Sequence, residues 1–559
     1  MSASRSGPIP IRLARPTLMP RSRTTERATP QKVEPGGRVW EGGRHAVARA
    51  RGRRAAGRAG SSGDAPGTAR SLHHHASGAT QRSAQLSVGT TGPVDPRHRT
   101  IHVKPPGTRT ARALVAAFLG SPEWSAPALV EQGRLVLDPA PDWLPAVAAA
   151  AVAAHREPPR DAPRELAGFL LGVREELLDA RPRLDDDGEP LPRPAEPRVR
   201  AWLPTATRMG RTRWPVHPLH DLADVAELLG TDLDHLSWYA DPQGRQRTEP
   251  AGHLQLYRRR WLPRPGRVPR LLEVPTPRLR AVQRVLLDRV LAPIPPHPAA
   301  HGFVAGRSAL TGARQHLGAE ELLTLDLAAF FATVRAGRVW ATLRSAGYPE
   351  PVASLLTGLC TTSATRDDLA TMPPGGSEGA RAHVRAALAT PHLPQGAPTS
   401  PQLANLAAHR LDRRLAGLAA AAGAAYTRYA DDLTFSGRRG TAALRHRVAV
   451  VVADEGFALQ PAKTRVRGRG ARQSVTGVVV NERPSLPRAE LDALRARLTN
   501  AVRRGPSAAD LAAVDGDRQA LRRELAGRVA WVTQVHPVRG QRLAALLAAV
   551  DFAEPDTDL

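Results

Sequence analysis

The pattern of hydrophobic and polar positions along the 559 residues divides the chain into stretches of different character. Residues 1–110 show no periodicity. Gly, Pro, Ser and Arg dominate, a composition that buries too little apolar surface to order itself, so a disordered tail is expected there. From 111 to 244 a helical extension is expected, because "ALVAAFLG" and "LPAVAAAAVAAH" carry the 3.6-residue spacing. Within it, "RPRLDDDGEPLPRPAEPRVR" at 181–200 is a Pro-rich charged linker whose Asp185, Asp186 and Asp187 are solvated charge. "DLADVAELLGTDLDHLSWYAD" at 221–241 predicts two short helices joined at Gly230, with Leu222, Val225, Leu228 and Leu229 as a stripe for packing or docking. Residues 245–482 alternate short strand-like runs with helical ones, the mark of an α+β domain, and residues 483–559 predict closing helices.

Two acidic positions in the α+β stretch stand apart from ordinary surface charge. "ELLTLDLAAFFATV" is an apolar strand that ends at Asp326 before a helix starts. A carboxylate there is costly to desolvate without a cation beside it, although a helix N-cap would also use Asp. "AYTRYADDLTFSG" (425–437) reads as a β-hairpin with Asp431 and Asp432 at its tip. Neighbouring side chains of a strand face opposite ways, so the two can share a site only if the tip bends. By contrast, "SATRDDLA" puts Asp367 and Asp368 in the first turn of a helix, where acids favour the dipole. Between the strand end and the hairpin, "LPQGAPTSPQLANLAAHRL" predicts a tight loop at Gln395-Gly396-Ala397, with Ser400 as N-cap and Pro401 as first residue of a Leu-striped helix.

Composition and charge narrow the partner. Lys and Arg number 79 against 52 Asp and Glu, a net charge of +27. Residues 1–100 hold 18 basic and 5 acidic residues, so +14 remains for the rest of the chain, and the folded part is itself basic. Such a balance points to a polyanion, nucleic acid first. "RARGRRAAGR" (49–58) would grip phosphates, unless it is inert or lies upstream of the working start. His73, His74 and His75 are too few and too isolated to indicate metal. The single cysteine, Cys360, excludes a disulfide framework and a Cys-rich zinc module, and implies a reducing, cytoplasmic setting. No run of eighteen uncharged apolar residues occurs, so no membrane partner is expected.

A strand-end acid, a glycine-bearing loop entering a helix, and the Tyr-Ala-Asp-Asp tip at 429–432, in that order, resemble motifs A, B and C of a reverse transcriptase palm. The resemblance runs from about 245 to 550 and implies a right-hand α+β fold: fingers and an antiparallel palm sheet over 245–482, a helical thumb over 483–559. It implies nucleotide addition promoted by two Mg²⁺ ions, with Mn²⁺ able to substitute, because such ions prefer hard carboxylate oxygens. Asp326, Asp431 and Asp432 are the expected ligands. Phe331 is expected to sit against the sugar and select dNTPs, Phe330 to be core, and Gln395 and Gly396 to contact the incoming nucleotide and template base. "EGFALQPAKT" resembles motif D, with Lys463 expected to protonate the pyrophosphate leaving group, or else to be a surface lysine. "YRRRWLPRPGRVPRLLEV" resembles the fingers hairpin turning at Gly266, with Arg270 as the triphosphate-binding arginine, and "AHGFVAGRS" matches the loop before motif A.

Within reverse transcriptases the chain is similar to the retron class. "LPQGAPTSP" has the retron form of motif B, and Val475, Thr476 and Gly477 match the Val-Thr-Gly element that helps recognise a structured RNA. "GARQH" (312–316) matches the Asn-Ala-x-x-His element through Ala313 and His316, with Gly312 in place of Asn, and His316 is the expected RNA contact. This resemblance implies a structured non-coding RNA as template and primer, a branched RNA–DNA hybrid product, a candidate effector protein partner and antiphage defence. The alternatives are a group II intron-like, abortive-infection or CRISPR-linked reverse transcriptase, or an RNA-binding scaffold on a degenerate palm.

Overall fold

The computed structural model describes residues 107–180, 195–250, 252–438 and 440–553. The expectations for the tail and for most of the 181–200 linker lie outside these residues. The first helix, however, starts at Thr108, inside the stretch expected to be disordered.

Helices α1 (Thr108–Leu119), α2 (Ala126–Val136), α3 (Leu144–Ala154) and α4 (Pro163–Ala180) bury a core of their own around Leu114, Phe118, Leu129, Leu144 and Leu166. Pro127 and Pro145 stand in the first turns of α2 and α3, where a missing N–H leaves no bond unmade. A short antiparallel ladder, β1 (Leu137–Asp138) with β2 (Arg198–Val199), flanks this bundle. Asp161 joins it to the rest of the chain: its carbonyl accepts from the Glu350 N–H at 2.9 Å and its carboxylate pairs with Arg344 at 3.1 Å.

Helices α5 (Leu222–Leu229) and α6 (Leu233–Ala240) break at Gly230 as the sequence predicts, because Gly230 takes the left-handed conformation (φ 60°) that closes a helix. Asp221 caps α5 by accepting from the Ala223 and Asp224 N–H groups. The buried faces carry Val225, Leu236 and Ala240 into the large central core, which begins at Val216.

The central region follows in chain order. Strands β3 (Tyr257–Leu262) and β4 (Arg270–Pro275) form the expected antiparallel hairpin, with Gly266 at φ 66° in its turn. Then come α7 (Pro277–Leu286), α8 (Ala309–Ala313), β5 (Glu321–Asp326), α9 (Phe330–Thr333), α10 (Ala336–Ser345), α11 (Glu350–Cys360), α12 (Arg366–Ala370), α13 (Glu378–Leu388), α14 (Ser400–Ala407) and α15 (His409–Ala421). The hairpin β6 (Ala425–Tyr429) and β7 (Asp432–Gly437), helix α16 (Leu444–Asp454), strand β8 (Arg465–Gly468) and the small hairpin β9 (Ser474–Val475) and β10 (Val478–Val479) complete it. The main sheet has the order β6-β7-β5-β8, antiparallel throughout. The α+β expectation therefore holds.

Strand β5 serves two cores because alternate residues face opposite sides. Leu323 and Leu325 enter the central core, whereas Leu322 packs with the C-terminal helices. Those helices are α17 (Arg488–Arg504), α18 (Ala508–Ala512), α19 (Arg518–Val535) and α20 (Pro537–Ala548), joined through Leu494, Leu498, Leu521, Leu525 and Val529. Each such fully buried Leu or Val contributes about 1.5–3 kcal/mol.

Of two local expectations, one holds and one needs adjusting. Asp367 and Asp368 do open a helix, α12, and Asp368 closes a capping box with Thr365. Ser400 is not an N-cap, since Thr399 holds that position; Ser400 is the first helical residue, and its hydroxyl donates to the Pro394 carbonyl at 2.7 Å, closing the loop that carries Gln395 and Gly396. Among the described residues no helix is long and apolar enough to cross a membrane.

Candidate active site

Register brings the acids together. Asp326, the last residue of β5, lies directly across from Asp432, the first residue of β7. The two-residue turn Ala430–Asp431 joins β6 to β7, and Ala430 takes a positive φ of 55°, which supplies the bend that shared use of the two aspartates requires. The Asp431 carbonyl accepts from the Leu327 N–H at 2.9 Å, tying the turn to the end of β5.

The carboxylates are electrostatically strained. Burial raises the pKa of Asp326; a hydrogen bond from Lys463 opposes this, and the charge of Asp431 adds to it. Crowding protein, then the charges of Asp431 and Asp326, pushes Asp432 up to about 6, although the residue keeps contact with solvent. The Lys463 ammonium pairs directly with Asp326. Among the described residues no three acidic, histidine or cysteine side chains already stand at metal-ligand spacing. Three hard-oxygen donors that repel one another nonetheless suit a divalent cation.

Asp326, Asp431 and Lys463 form one wall of a cavity of about 420 Å³. Arg264, Arg267 and Arg270, from the β3–β4 turn and the start of β4, line another part of it. Burial and then the charges of Arg270 and Arg267 lower the pKa of Arg264, while Asp326 and Asp431 raise it, so the guanidiniums and carboxylates sense one another across the space. Gln395 also lines the cavity, and its carbonyl accepts from the Glu273 N–H at 2.8 Å. Gly396 follows at φ 135°, where a Cβ would come within 2.8 Å of the Glu273 carbonyl, so only glycine lets the loop approach β4 this closely. The Glu273 side chain is held by Arg259 Nε at 3.3 Å and lies 2.8 Å from His392 Nε2, all three buried. Phe331 lines the cavity half-buried, with its ring edge-on to Phe330, which is core as expected.

The two elements expected to contact RNA are placed differently. His316 is 1 % exposed, with Nδ1 and Nε2 each 2.7 Å from the hydroxyls of Ser436 and Thr427. Both nitrogens are engaged inside the sheet, so the expectation of an RNA contact through this ring is corrected: it is a buried structural group, and burial lowers its pKa to about 4. Gly312, at the Asn position of that element, packs tightly on His301, with a Cβ there 3.3 Å from the His301 side chain. Val475 is likewise core, joined to the C-terminal helices. Thr476 (φ 46°) and Gly477 (φ 87°) form the β9–β10 turn, and Gly477 is exposed at its tip.

Three groups were missed in the sequence. Arg264 and Arg267 follow the same three-residue step as Arg270 around Gly266, a spacing that could have revealed them. Phe303 lines the cavity, and a buried network of Arg428, Asp412 and Asn405 lies behind the hairpin tip. Only the position of Phe303 in the loop before motif A hinted at the former, and nothing local announced the latter.

Residues 262–476 match the family described as reverse transcriptase (RNA-dependent DNA polymerase). The fold and the site thus define a reverse transcriptase, an RNA-directed DNA polymerase. The chain is 40% identical over 349 residues to the retron Mx65 reverse transcriptase of Myxococcus xanthus, covering 62% of this chain and 75% of that one. It is 36% identical over 345 residues to the retron Mx162 reverse transcriptase of the same organism, covering 58% and 66%. It is 31% identical over 232 residues to the retron Ec86 reverse transcriptase of Escherichia coli, covering 41% and 64%. A foamy viral protease-reverse transcriptase in complex with RNA/DNA hybrid aligns at TM-score 0.25 and 15% identity, covering 53% of this chain and 34% of that one, a likeness too slight to argue from. The chain belongs to the retron-type reverse transcriptases of bacteria.

Proposed function

We propose that this chain copies a structured non-coding RNA into DNA at the cavity between the β3–β4 hairpin and the main sheet, priming from that RNA to give a branched RNA–DNA hybrid used in antiphage defence. The observation that carries the reading is the register of Asp326 against Asp432, with Asp431 in the adjoining turn and three guanidiniums lining the same space. Asp326, Asp431 and Asp432 would hold two Mg²⁺ ions; their hard oxygens and mutual repulsion suit that charge. What such ions supply is neutralisation of charge at the reacting phosphorus.

The chain's own side chains account for the rest. Arg264, Arg267 and Arg270 bind the triphosphate, for which forked guanidinium donors are suited. Gln395 and Gly396 frame the nucleotide and template base, and Phe331 bars a ribose 2′-OH. Lys463 leaves Asp326 when the site fills and gives its proton to the departing pyrophosphate. The Thr476–Gly477 turn meets the RNA, and α17 to α20 act as a thumb on the duplex. An effector protein would act on the product.

The test is to sequence nucleic acid that copurifies with the chain. A DNA strand joined through a branch to a structured RNA is expected. Intron RNA, or RNA without attached DNA under conditions of active synthesis, contradicts the retron reading.

A further inference from the structure

We propose that Phe303 is the outer half of the sugar gate, a specificity-determining residue acting together with Phe331. The inference rests on the assignment of Phe331 as the residue that bars the 2′-OH.

The backbone is the first observation. Phe303 has φ 60°, the left-handed region that bulky side chains rarely occupy. The two residues before it are pinned in place. The His301 N–H donates to the Arg428 carbonyl at 2.8 Å, and Asn405 Nδ2 donates to the Gly302 carbonyl at 2.9 Å. Gly302 lies so close to the hairpin tip that a Cβ there would be 2.7 Å from the Ala430 nitrogen. A glycine or asparagine at 303 would relieve the strain; a phenylalanine held there indicates a use for its ring.

The ring is the second observation. It is 49% exposed and lines the catalytic cavity instead of entering the core. Its centroid lies 6.2 Å from that of Phe331 at 74°, and 6.4 Å from that of Tyr429 at 38°. Phe331 also meets Phe330 edge-on at 5.9 Å from the core side. Phe331 is therefore held between a core ring and Phe303, and edge-to-face contacts of this kind fix ring orientation. Without Phe303 the Phe331 ring gains room to turn, and the wall facing the sugar opens.

The experiment compares the ratio of kcat/KM for dNTP and rNTP among wild type, Phe303→Gly, Phe303→Tyr, Phe331→Ala and the Phe303→Gly, Phe331→Ala double variant in the full chain. Glycine removes the ring but accepts the left-handed backbone, so Tm should hold or rise, which separates the effect from misfolding. Phe303→Gly is expected to lower discrimination by about tenfold, Phe303→Tyr to keep it, and Phe303→Gly to add little once Phe331 is already Ala, since coupled residues are not additive. Wild-type discrimination in Phe303→Gly alongside relaxed discrimination in Phe331→Ala overturns the inference and leaves the gate assignment standing. Additive effects in the double variant overturn the coupling. Unchanged discrimination in Phe331→Ala removes the gate assignment itself, and the inference with it.

Discussion

Arg428 and Asp412 form a two-pronged ion pair that no solvent reaches: Nε donates to Oδ1 at 2.7 Å and Nη2 to Oδ2 at 2.6 Å. The surroundings satisfy what remains. Arg428 Nη1 donates to Asn405 Oδ1 at 3.0 Å and to the Ala430 carbonyl at 3.1 Å, and the Tyr426 hydroxyl donates to Asp412 Oδ1 at 2.9 Å. The pair thereby reaches the positive-φ residue immediately before Asp431. It links helix α15 to the geometry of the Ala430–Asp431 turn.

Breaking one half of such a pair leaves a bare charge in the core, at a cost of about 3–5 kcal/mol. Asp412→Ala is therefore expected to lower unfolding free energy by that order in a urea titration. Asp412→Leu combined with Arg428→Met should cost less than the single change. A loss below about 1 kcal/mol in Asp412→Ala would mean that water reaches Arg428 after all.

The arginines of the β3–β4 turn make a kinetic prediction. Arg264→Ala and Arg267→Ala, like Arg270→Ala, should raise KM for dNTPs about tenfold or more, since hydrogen bonds to charged groups contribute about 1.5–3 kcal/mol. Steady-state primer extension checks this; KM values within about twofold of wild type for all three would show that the triphosphate lies elsewhere.

His316 makes the fold sensitive to acid. The folded chain keeps its ring neutral to about pH 4, whereas a free imidazole protonates near 6.5. Between these values the unfolded chain binds more protons, so the contribution is full above pH 6.5 and is lost as pH falls towards 4, by about 3 kcal/mol. Stability measured from about pH 7 to about pH 4 should decline less steeply in His316→Gln. Parallel curves for the two proteins would place the acid-sensitive groups elsewhere.

The C-terminal helices hold their arginines in two different settings. Arg488 and Arg495 are largely exposed, with long, weak contacts to Asp492 at 3.5 and 3.8 Å. Arg497 is enclosed by Asp510 at 2.8 Å and Glu524 at 3.5 Å. Replacing Arg488 and Arg495 by Ala should flatten the salt dependence of RNA binding by about one to two counterions. Arg497→Ala should instead lower thermal stability and leave the slope alone. An unchanged slope in the double variant would mean that this face does not meet phosphate.

What could be read in the sequence was whatever local flanks announce. An apolar run ending at Asp326, aromatic strands around Asp431 and Asp432, and a glycine after Leu229 each state their own geometry. Burial set by distant partners left no such mark. His316 is enclosed by Thr427 and Ser436, 111 and 120 residues further on, and Val475 by the C-terminal helices, so these two side chains are interior while the Thr476–Gly477 turn is not. Nothing beside Arg428 in the sequence points to Asp412, which helix α15 brings to it. The Phe303 ring gained meaning only once the fold set it against Phe331.

In the proposed reaction Asp326, Asp431 and Asp432 act as one catalytic group. This is tested most directly by single-turnover primer extension with Asp431→Asn, beside RNA binding by the same preparation. DNA synthesis is expected to disappear while RNA affinity stays within about threefold of wild type, because the change removes one charge at the turn and leaves the basic surface intact. Synthesis at a rate near that of wild type would contradict it.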